Sequence, residues 1–168
     1  MKTLELDMFG SIGEVDGVDP SKIVALLREA KDVRTILVRI NSYGGAASDG
    51  IAIMDVLKDH AATVHVKIDG MAASAASLIA MAGDTIEMGE GAFLMVHKPW
   101  GVVMGTNDDM RGVAGVLRKM EREMVNIYAR RTKRPVSEVR GWVENETWFT
   151  AAEAVEAGLA DKVTEVQE

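Results

Sequence analysis

Short apolar runs rich in branched residues alternate with helical patterns along most of this chain. The runs at 35–40 (TILVRI) and 63–68 (TVHVKI) predict buried strands. The residues after them predict a helix at about 47–60 and a small-residue turn and helix at 70–83. Strands that alternate with helices form βαβ units, whose strands run parallel. The sequence therefore predicts an α/β fold with a mostly parallel sheet.

The other predicted elements extend this pattern towards both ends of the chain. Further strands are predicted at 3–9, 85–88, 92–97 and 162–166, and further helices from Asp19-Pro20-Ser21 onwards, at about 107–131, at 135–143 and at 150–157. The helix at 107–131 is the longest and has apolar or small residues at helical spacing. A length of 168 residues fits one domain, covering 1–168.

Composition narrows the possible chemistry. The chain has no cysteine, which excludes disulfides, thiolate metal sites and a cysteine nucleophile. With only three histidines, a closed zinc site is not expected, and we expect neither a metal nor a cofactor. No apolar run reaches 18 residues and the first ten residues carry acids, so we expect no membrane span and no signal peptide. These features predict a soluble, cytoplasmic protein.

Charge is unevenly distributed. The formal net charge is −7, yet residues 111–140 hold nine Lys or Arg and only three Glu. Such a segment can bind nucleic acid, but Tyr128 is its only aromatic residue, and stacking on bases needs aromatic side chains. We therefore expect this segment to meet an acidic face of another copy of the chain, with no nucleic acid bound.

Three segments of unusual composition fall where predicted strands end, which is where ligands bind in sheets of this kind. They are NSYGGA at 41–46, GMAASAAS at 70–77 and MVHKP at 95–99. Paired glycines present bare N–H groups, and a serine at a strand-to-helix junction can enter a cleft. Ser74 and His97 could then act as nucleophile and base. Each segment also has a structural explanation. The first would be a tight turn, the second a closely packed helix with inert Ser74 and Ser77 hydroxyls, and the third the site of a buried histidine.

Four motifs, in order, resemble the proteolytic subunit of the Clp protease (ClpP). NSYGG at 41–45 resembles that family's INSPGG turn, GMAASAASLIAMAG at 70–83 its G-x-AAS helix, MVHKP at 95–99 its M-[IV]-H-x-P strand end, and TAAEAVEAGLAD at 150–161 its closing S-A-x-E-A-x-x-x-G-L-x-D motif. The resemblance covers about residues 3–166, which is nearly the whole chain.

The resemblance implies a serine peptidase of the ClpP/crotonase fold that needs no metal or cofactor. Ser74 takes the position of the family's nucleophile and His97 that of its general base. Gly45 and Ala75 take the positions of the oxyanion-hole N–H groups. These four roles are what the resemblance of the motifs implies.

The resemblance also implies how substrate and subunits are held. Gly44, Gly45 and the stretch 101–105 would bind a protein or peptide substrate as an added strand. The predicted helix at 107–131 takes the place of the protruding handle helix that interlocks two rings, so a homo-oligomeric ring is expected. We expect no extension before the first strand, where the family's axial loops lie, so docking of an unfoldase ATPase is left open.

The sequence departs from the family in two places. Tyr43 replaces the usual proline, which we interpret as tolerable. In NETWF at 145–149, the family's catalytic Asp aligns with Thr147, whose hydroxyl can accept a hydrogen bond from imidazole but cannot stabilise imidazolium by charge. Glu146 is an alternative if the loop differs by one residue, and Asn145 could orient the ring without a charge.

This ETWFTA form resembles the ClpP-like proteases of tailed phages and prophages, which trim scaffold and capsid protein during head maturation. The resemblance implies an ATP-independent serine endopeptidase of procapsid maturation or of general ClpP-type proteolysis, acting in the host cytoplasm or the procapsid. Two other functions stay open. One is an inactive assembly or scaffold module of the same fold, and the other is a crotonase-type acyl-CoA enzyme.

Overall fold

The computed structural model describes residues 2–13 and 17–164. Its elements, in chain order, are β1 (Thr3–Ile12), α1 (Pro20–Glu29), β2 (Thr35–Gly45), α2 (Ala47–Asp59), β3 (Thr63–Ala73), α3 (Ala75–Ala80), β4 (Thr85–Gly89), β5 (Phe93–Val96), α4 (Asn107–Thr132), α5 (Val136–Glu144), β6 (Thr147–Thr150), α6 (Ala151–Ala157) and β7 (Lys162–Thr164). The described residues contain no helix long and apolar enough to cross a membrane.

The strands form one sheet. Strands β1, β2, β3, β4 and β7 lie side by side in that order and all run parallel. The end of β3 also pairs in parallel with β5, and β5 pairs with β6 in the antiparallel direction. The predicted α/β fold with a mostly parallel sheet is therefore confirmed, and the antiparallel β6 was not predicted.

The central strands bury one face and leave the other partly open. Along β2, Ile36, Val38 and Ile40 are fully buried, whereas Arg39 between them is only half-buried. Strands of parallel sheets are usually covered on both faces. Here, polar side chains such as Arg39 and Asp69 pair with one another across the open face, at 2.8 Å from Nε to Oδ2.

Strands β2 and β3 continue past their predicted ends, and this corrects the sequence interpretation. Residues 41–45 were predicted as a turn but extend β2, because Ile12 of β1 pairs with Gly45. Residues 70–73 extend β3, because Ala73 pairs with Met95 of β5. As a result α3 is shorter than predicted. The extensions bring the glycine pair and Ser74 to the same end of the sheet.

The predicted long helix is confirmed as α4. It begins with a capping box, in which the Thr106 hydroxyl and the Asp109 carboxylate satisfy each other's backbone N–H groups, and it ends at Lys133 in the left-handed conformation. The helix predicted to begin at Asp19-Pro20-Ser21 is also present as α1, and Asp19 caps it by accepting a hydrogen bond from the Ser21 N–H at 2.8 Å. Residues 165 and 166 of the predicted last strand lie outside the described residues.

Two arginines of the basic segment bind groups of their own chain. Arg131 donates to the Gly83 carbonyl at 3.0 Å and to the Asp161 carboxylate at 2.6 Å. Arg134 donates to the Glu156 carbonyl at 2.7 Å. These contacts tie the end of α4 to the body of the domain, and the expected acidic face on another copy stays a prediction for the basic segment.

An ion pair ties the short edge strand β7 to β4, and it makes stability depend on pH. Lys162 Nζ lies 2.6 Å from Glu87 Oε1, and this hydrogen bond lowers the pKa of Glu87 below its ordinary value of 4.5. A carboxyl group with a lowered pKa stabilises the fold above that ordinary value, and this stabilisation is lost as pH falls through the folded-state pKa.

We expect Lys162→Met to lower the free energy of unfolding at pH 7 by less than about 1 kcal/mol, because the pair is partly exposed. The difference from wild type should shrink as pH falls below 4.5, and it should be smaller at pH 3 than at pH 7. Urea denaturation at both pH values measures it, with Lys22→Met on the exposed side of α1 as the control. A difference that persists unchanged at pH 3 would contradict this explanation.

Candidate active site

The predicted nucleophile Ser74 lies in the tight connection between β3 and α3. Its backbone has φ 55° and ψ −125°, a conformation that residues other than glycine rarely adopt. The Ser74 N–H donates to the Met95 carbonyl at 3.0 Å, which fixes the end of β3 against β5. A strained residue of this kind persists only where its surroundings hold it in place, and such residues concentrate at functional sites.

His97, the predicted general base, faces this serine. It directly follows β5, which pairs with the end of β3, and its side chain is 16% exposed. His97 Nε2 lies 2.7 Å from Ser74 Oγ. At this distance a neutral imidazole can accept the hydroxyl proton, so the two side chains have the geometry of an activated nucleophile and its base.

The pairing of β5 with β6 determines which side chain faces the other ring nitrogen. Val96 pairs with Thr147, so the residue before Thr147 comes close to His97. Glu146 adopts a left-handed backbone (φ 47°), and its Oε2 lies 3.7 Å from His97 Nδ1. The Glu146 side chain is 60% exposed, which weakens its interaction with the imidazole.

The other two candidates for the orienting role make hydrogen bonds elsewhere. The Thr147 hydroxyl donates to the Trp142 carbonyl at 2.8 Å. The Asn145 amide donates to the Gly141 carbonyl at 2.8 Å and so closes the end of α5. The residue aligned with the family's Asp is thus tied to α5, and the carboxylate facing His97 belongs to its neighbour Glu146.

The glycine pair lies directly against the serine. A Cβ atom on Gly44 would lie 2.7 Å from Ser74 Cβ and 2.9 Å from the Ala75 nitrogen, closer than real Cβ contacts. Gly44 also has φ 99°, and its N–H donates to the buried Ser42 hydroxyl at 3.0 Å. Glycine is therefore required here both by the close approach and by the backbone conformation.

The two predicted oxyanion donors border the same space. The Ala46 N–H donates to the Ile12 carbonyl of β1. Successive N–H groups of an extended strand point to opposite sides, so the Gly45 N–H points away from β1. Ala75 is the first residue of α3, and its N–H has no carbonyl within that helix to which it could donate. The arrangement leaves both groups suited to an anionic oxygen.

A cleft of about 660 Å³ opens over these residues. Ser74, His97 and the glycine pair line it together with three methionines, Met95, Met120 and Met124. Trp100 borders the cleft, and its side chain is 75% exposed. The cleft has the size and character to accept an apolar side chain beside the serine. Among the described residues, no group of three His, Asp or Glu side chains is arranged to hold a metal.

One buried polar contact behind the serine was missed from the sequence. Ser77, which the structural alternative treated as an inert hydroxyl, lies 2.6 Å from the Ser74 carbonyl and 2.7 Å from the Tyr128 hydroxyl. A serine three residues after another in a helix can bond back to that carbonyl, and this signal was available. The contact with Tyr128 spans 51 residues and no local pattern indicates it. Burial raises the pKa of Tyr128 far above its ordinary value.

Known proteins resemble this chain in sequence and in fold. The family model described as Clp protease matches residues 13–167. This chain belongs to the Clp protease family. Among curated relatives, ATP-dependent Clp protease proteolytic subunit 1 of Protochlamydia amoebophila (strain UWE25) is 32% identical over 134 residues, which is 77% of this chain and 65% of that protein. The chain thus spans just under two thirds of that relative's length.

A solved structure shows the same fold. A ClpP1 mutant from Listeria monocytogenes superposes with a TM-score of 0.86, covering 97% of this chain and 92% of that one, at 21% sequence identity. The structural match therefore confirms the predicted ClpP fold, whereas the family assignment rests on the sequence matches.

Proposed function

We propose that this chain is a serine endopeptidase that cleaves peptide bonds with Ser74 as nucleophile and His97 as general base. The observation that carries the proposal is the 2.7 Å contact between Ser74 Oγ and His97 Nε2, on a strained serine at the floor of a cleft. Membership of the Clp protease family supports the same chemistry. It also argues against an acyl-CoA enzyme of the related crotonase type.

In the proposed reaction Ser74 Oγ attacks the scissile carbonyl carbon while His97 Nε2 takes the hydroxyl proton. The N–H groups of Gly45 and Ala75 donate to the oxyanion of the tetrahedral intermediate. His97 then gives the proton to the leaving amine, and an acyl-enzyme remains. Water, activated by His97, attacks the acyl carbon and releases the second product and the free Ser74 hydroxyl. Glu146 stabilises the imidazolium that forms in each half of the reaction.

The substrate would bind as an extended peptide along the end of β2. The backbone at Gly44 and Gly45 and the stretch 101–105 would supply main-chain hydrogen bonds, as an added strand requires. The three methionines that line the cleft would accept an apolar side chain next to the scissile bond, because unbranched thioethers adapt to irregular shapes.

We place this activity in a homo-oligomeric ring that cleaves scaffold or capsid protein during phage head maturation, in the host cytoplasm or procapsid. Support for the ring is the exposure of three large apolar side chains on one segment, Trp100 (75%), Val102 (87%) and Met104 (93%). The ETWFTA form of residues 146–151 supports the role in phage head maturation. Light scattering after gel filtration measures the oligomeric state and so tests for the ring. Cleavage of co-expressed capsid and scaffold proteins tests the role in head maturation.

The direct test of peptidase activity is digestion of an unfolded, protease-sensitive protein without ATP, with mass spectrometry of the fragments. We expect wild type to produce discrete fragments and Ser74→Ala to produce none. An assembled wild type that leaves all such substrates intact would instead support the alternative of an inactive assembly module. That alternative has one observation in its favour, the exposure and 3.7 Å distance of Glu146.

Substitutions can distinguish the role of Glu146 from that of Thr147. We expect Glu146→Gln to lower kcat about 10-fold, less than the roughly 10⁴-fold cost of losing a buried orienting carboxylate, because Glu146 is exposed and not in hydrogen-bond contact. Thr147→Val should change kcat less than about 2-fold and cost about 1 kcal/mol of stability through its lost bond to Trp142. Steady-state kinetics on a peptide substrate measures both. A larger kcat loss in Thr147→Val would assign the orienting role to Thr147.

A further inference from the structure

Two buried hydroxyl groups lie behind the predicted nucleophile, on the side away from the cleft. Ser77 of α3 and Tyr128 of α4 have no solvent exposure. Their oxygens are 2.7 Å apart, and Ser77 Oγ is 2.6 Å from the Ser74 carbonyl oxygen. The contact therefore connects the long helix α4 with the backbone of the serine.

The direction of these hydrogen bonds follows from the number of protons. A carbonyl oxygen only accepts, so the single Ser77 hydroxyl proton points to Ser74. The Tyr128 hydroxyl must then donate to Ser77 Oγ. Because burial raises the pKa of Tyr128, the phenol keeps its proton throughout the pH range in which enzymes work. Tyr128 therefore donates to Ser77, and Ser77 donates to the Ser74 carbonyl oxygen.

That carbonyl shares a peptide plane with the Ala75 N–H. The described residues contain no cis peptide bond, so the carbonyl and the N–H of this unit point in opposite directions. The Ser77 backbone N–H donates to the same carbonyl at 2.9 Å. Two donors on the carbonyl fix the orientation of the plane and thus the direction of the Ala75 N–H. A chain of hydrogen bonds also polarises the amide and strengthens its N–H as a donor.

We infer that Tyr128 and Ser77 are positioning residues that aim and polarise the Ala75 N–H towards the oxyanion of the transition state. The inference deepens the proposed function and rests on it. The Ser74 backbone, at φ 55°, is strained and needs support from its surroundings, and the bonds to its carbonyl supply that support.

The kinetic test compares Ser77→Ala, Tyr128→Phe and the double variant on a peptide substrate. Loss of a whole oxyanion donor costs about 10²- to 10³-fold in kcat, so we expect a misaimed donor to cost about 10-fold in Ser77→Ala and about 3-fold in Tyr128→Phe. KM should stay within about 2-fold, because the oxyanion forms only in the transition state. The double variant should be no slower than Ser77→Ala, because both substitutions break one chain of bonds.

Two further variants separate this role from general stabilisation. Thr132→Val removes another partly buried hydroxyl of α4, one that bonds to the Tyr128 carbonyl, and should leave kcat unchanged. Ser77→Thr keeps the hydroxyl and should restore most of the kcat lost in Ser77→Ala. Independent losses that multiply in the double variant, or a change confined to KM, would overturn the inference.

A crystal structure of the double variant provides a readout that does not depend on activity. We expect the Ser74–Ala75 peptide to turn away from its wild-type orientation, so that ψ of Ser74 departs from −125°. An unturned peptide would overturn the inference whatever the kinetics. Wild type that cleaves nothing would count against the proposed function instead, and the crystal structure would still decide the positioning role.

Discussion

His97→Ala and Ser74→Ala should each lower kcat for peptide cleavage by roughly 10⁴-fold or more, since serine and histidine of such a pair act as one unit. Without the imidazole, the Ser74 hydroxyl has no acceptor for its proton within the 2.7 Å contact that the structure shows. The double variant should be no slower than either single variant for the same reason. Steady-state kinetics with a fluorogenic peptide, at high enzyme concentration, measures these rates.

The matched control is His60→Ala. His60 caps α2, where its Nδ1 accepts a hydrogen bond from the Ala62 N–H at 3.0 Å, and it does not line the cleft. We expect this variant to keep wild-type kcat. A His97→Ala variant that retains more than a tenth of wild-type activity would show that another group takes the proton.

Gly44→Ala should lower kcat about 100-fold although the side chain added is only a methyl group. That methyl would lie 2.6 Å from the Ala73 carbonyl oxygen and 2.7 Å from Ser74 Cβ, so the serine must move. The left-handed backbone at φ 99° adds strain. Displacing a reacting group by about 1 Å costs on the order of 10² in rate.

Gly91→Ala is the control for this substitution. Gly91 lies in the turn before β5, and a Cβ atom there would meet no atom within 4 Å. We therefore expect Gly91→Ala to keep its activity. Steady-state kinetics should show that Gly44→Ala lowers kcat, and covalent labelling of Ser74 should be slower than in wild type. A change in KM alone would mean that Gly44 binds substrate without affecting the nucleophile.

Local patterns in the sequence were sufficient for the order of the described elements, apart from β6. Branched apolar runs predicted β2 and β3, and the apolar spacing of residues 107–131 predicted α4. The predicted ends of β2 and β3 were wrong, because pairing with β1 and β5 holds the glycine and alanine segments extended although glycine and alanine are uncommon in strands. Tertiary contacts decide such boundaries, and a single sequence does not contain them.

The candidate site was likewise predicted only in part from the sequence. Motif resemblance predicted Ser74 and His97, which the structure brings within hydrogen-bond distance. The third group depends on a left-handed residue at the start of β6 and on whether Thr147 is already bonded to Trp142. The Ser77–Tyr128 contact depends on how α3 lies against α4. These are packing details, and no spacing within the sequence determines them.

Covalent labelling with a fluorophosphonate probe, followed by intact mass and peptide mapping, shows directly whether Ser74 is an activated nucleophile. We expect a single adduct on Ser74, absent from Ser74→Ala and formed far more slowly in His97→Ala. No adduct in a folded, assembled sample, or an adduct on another serine, would contradict the assignment of Ser74 as the nucleophile.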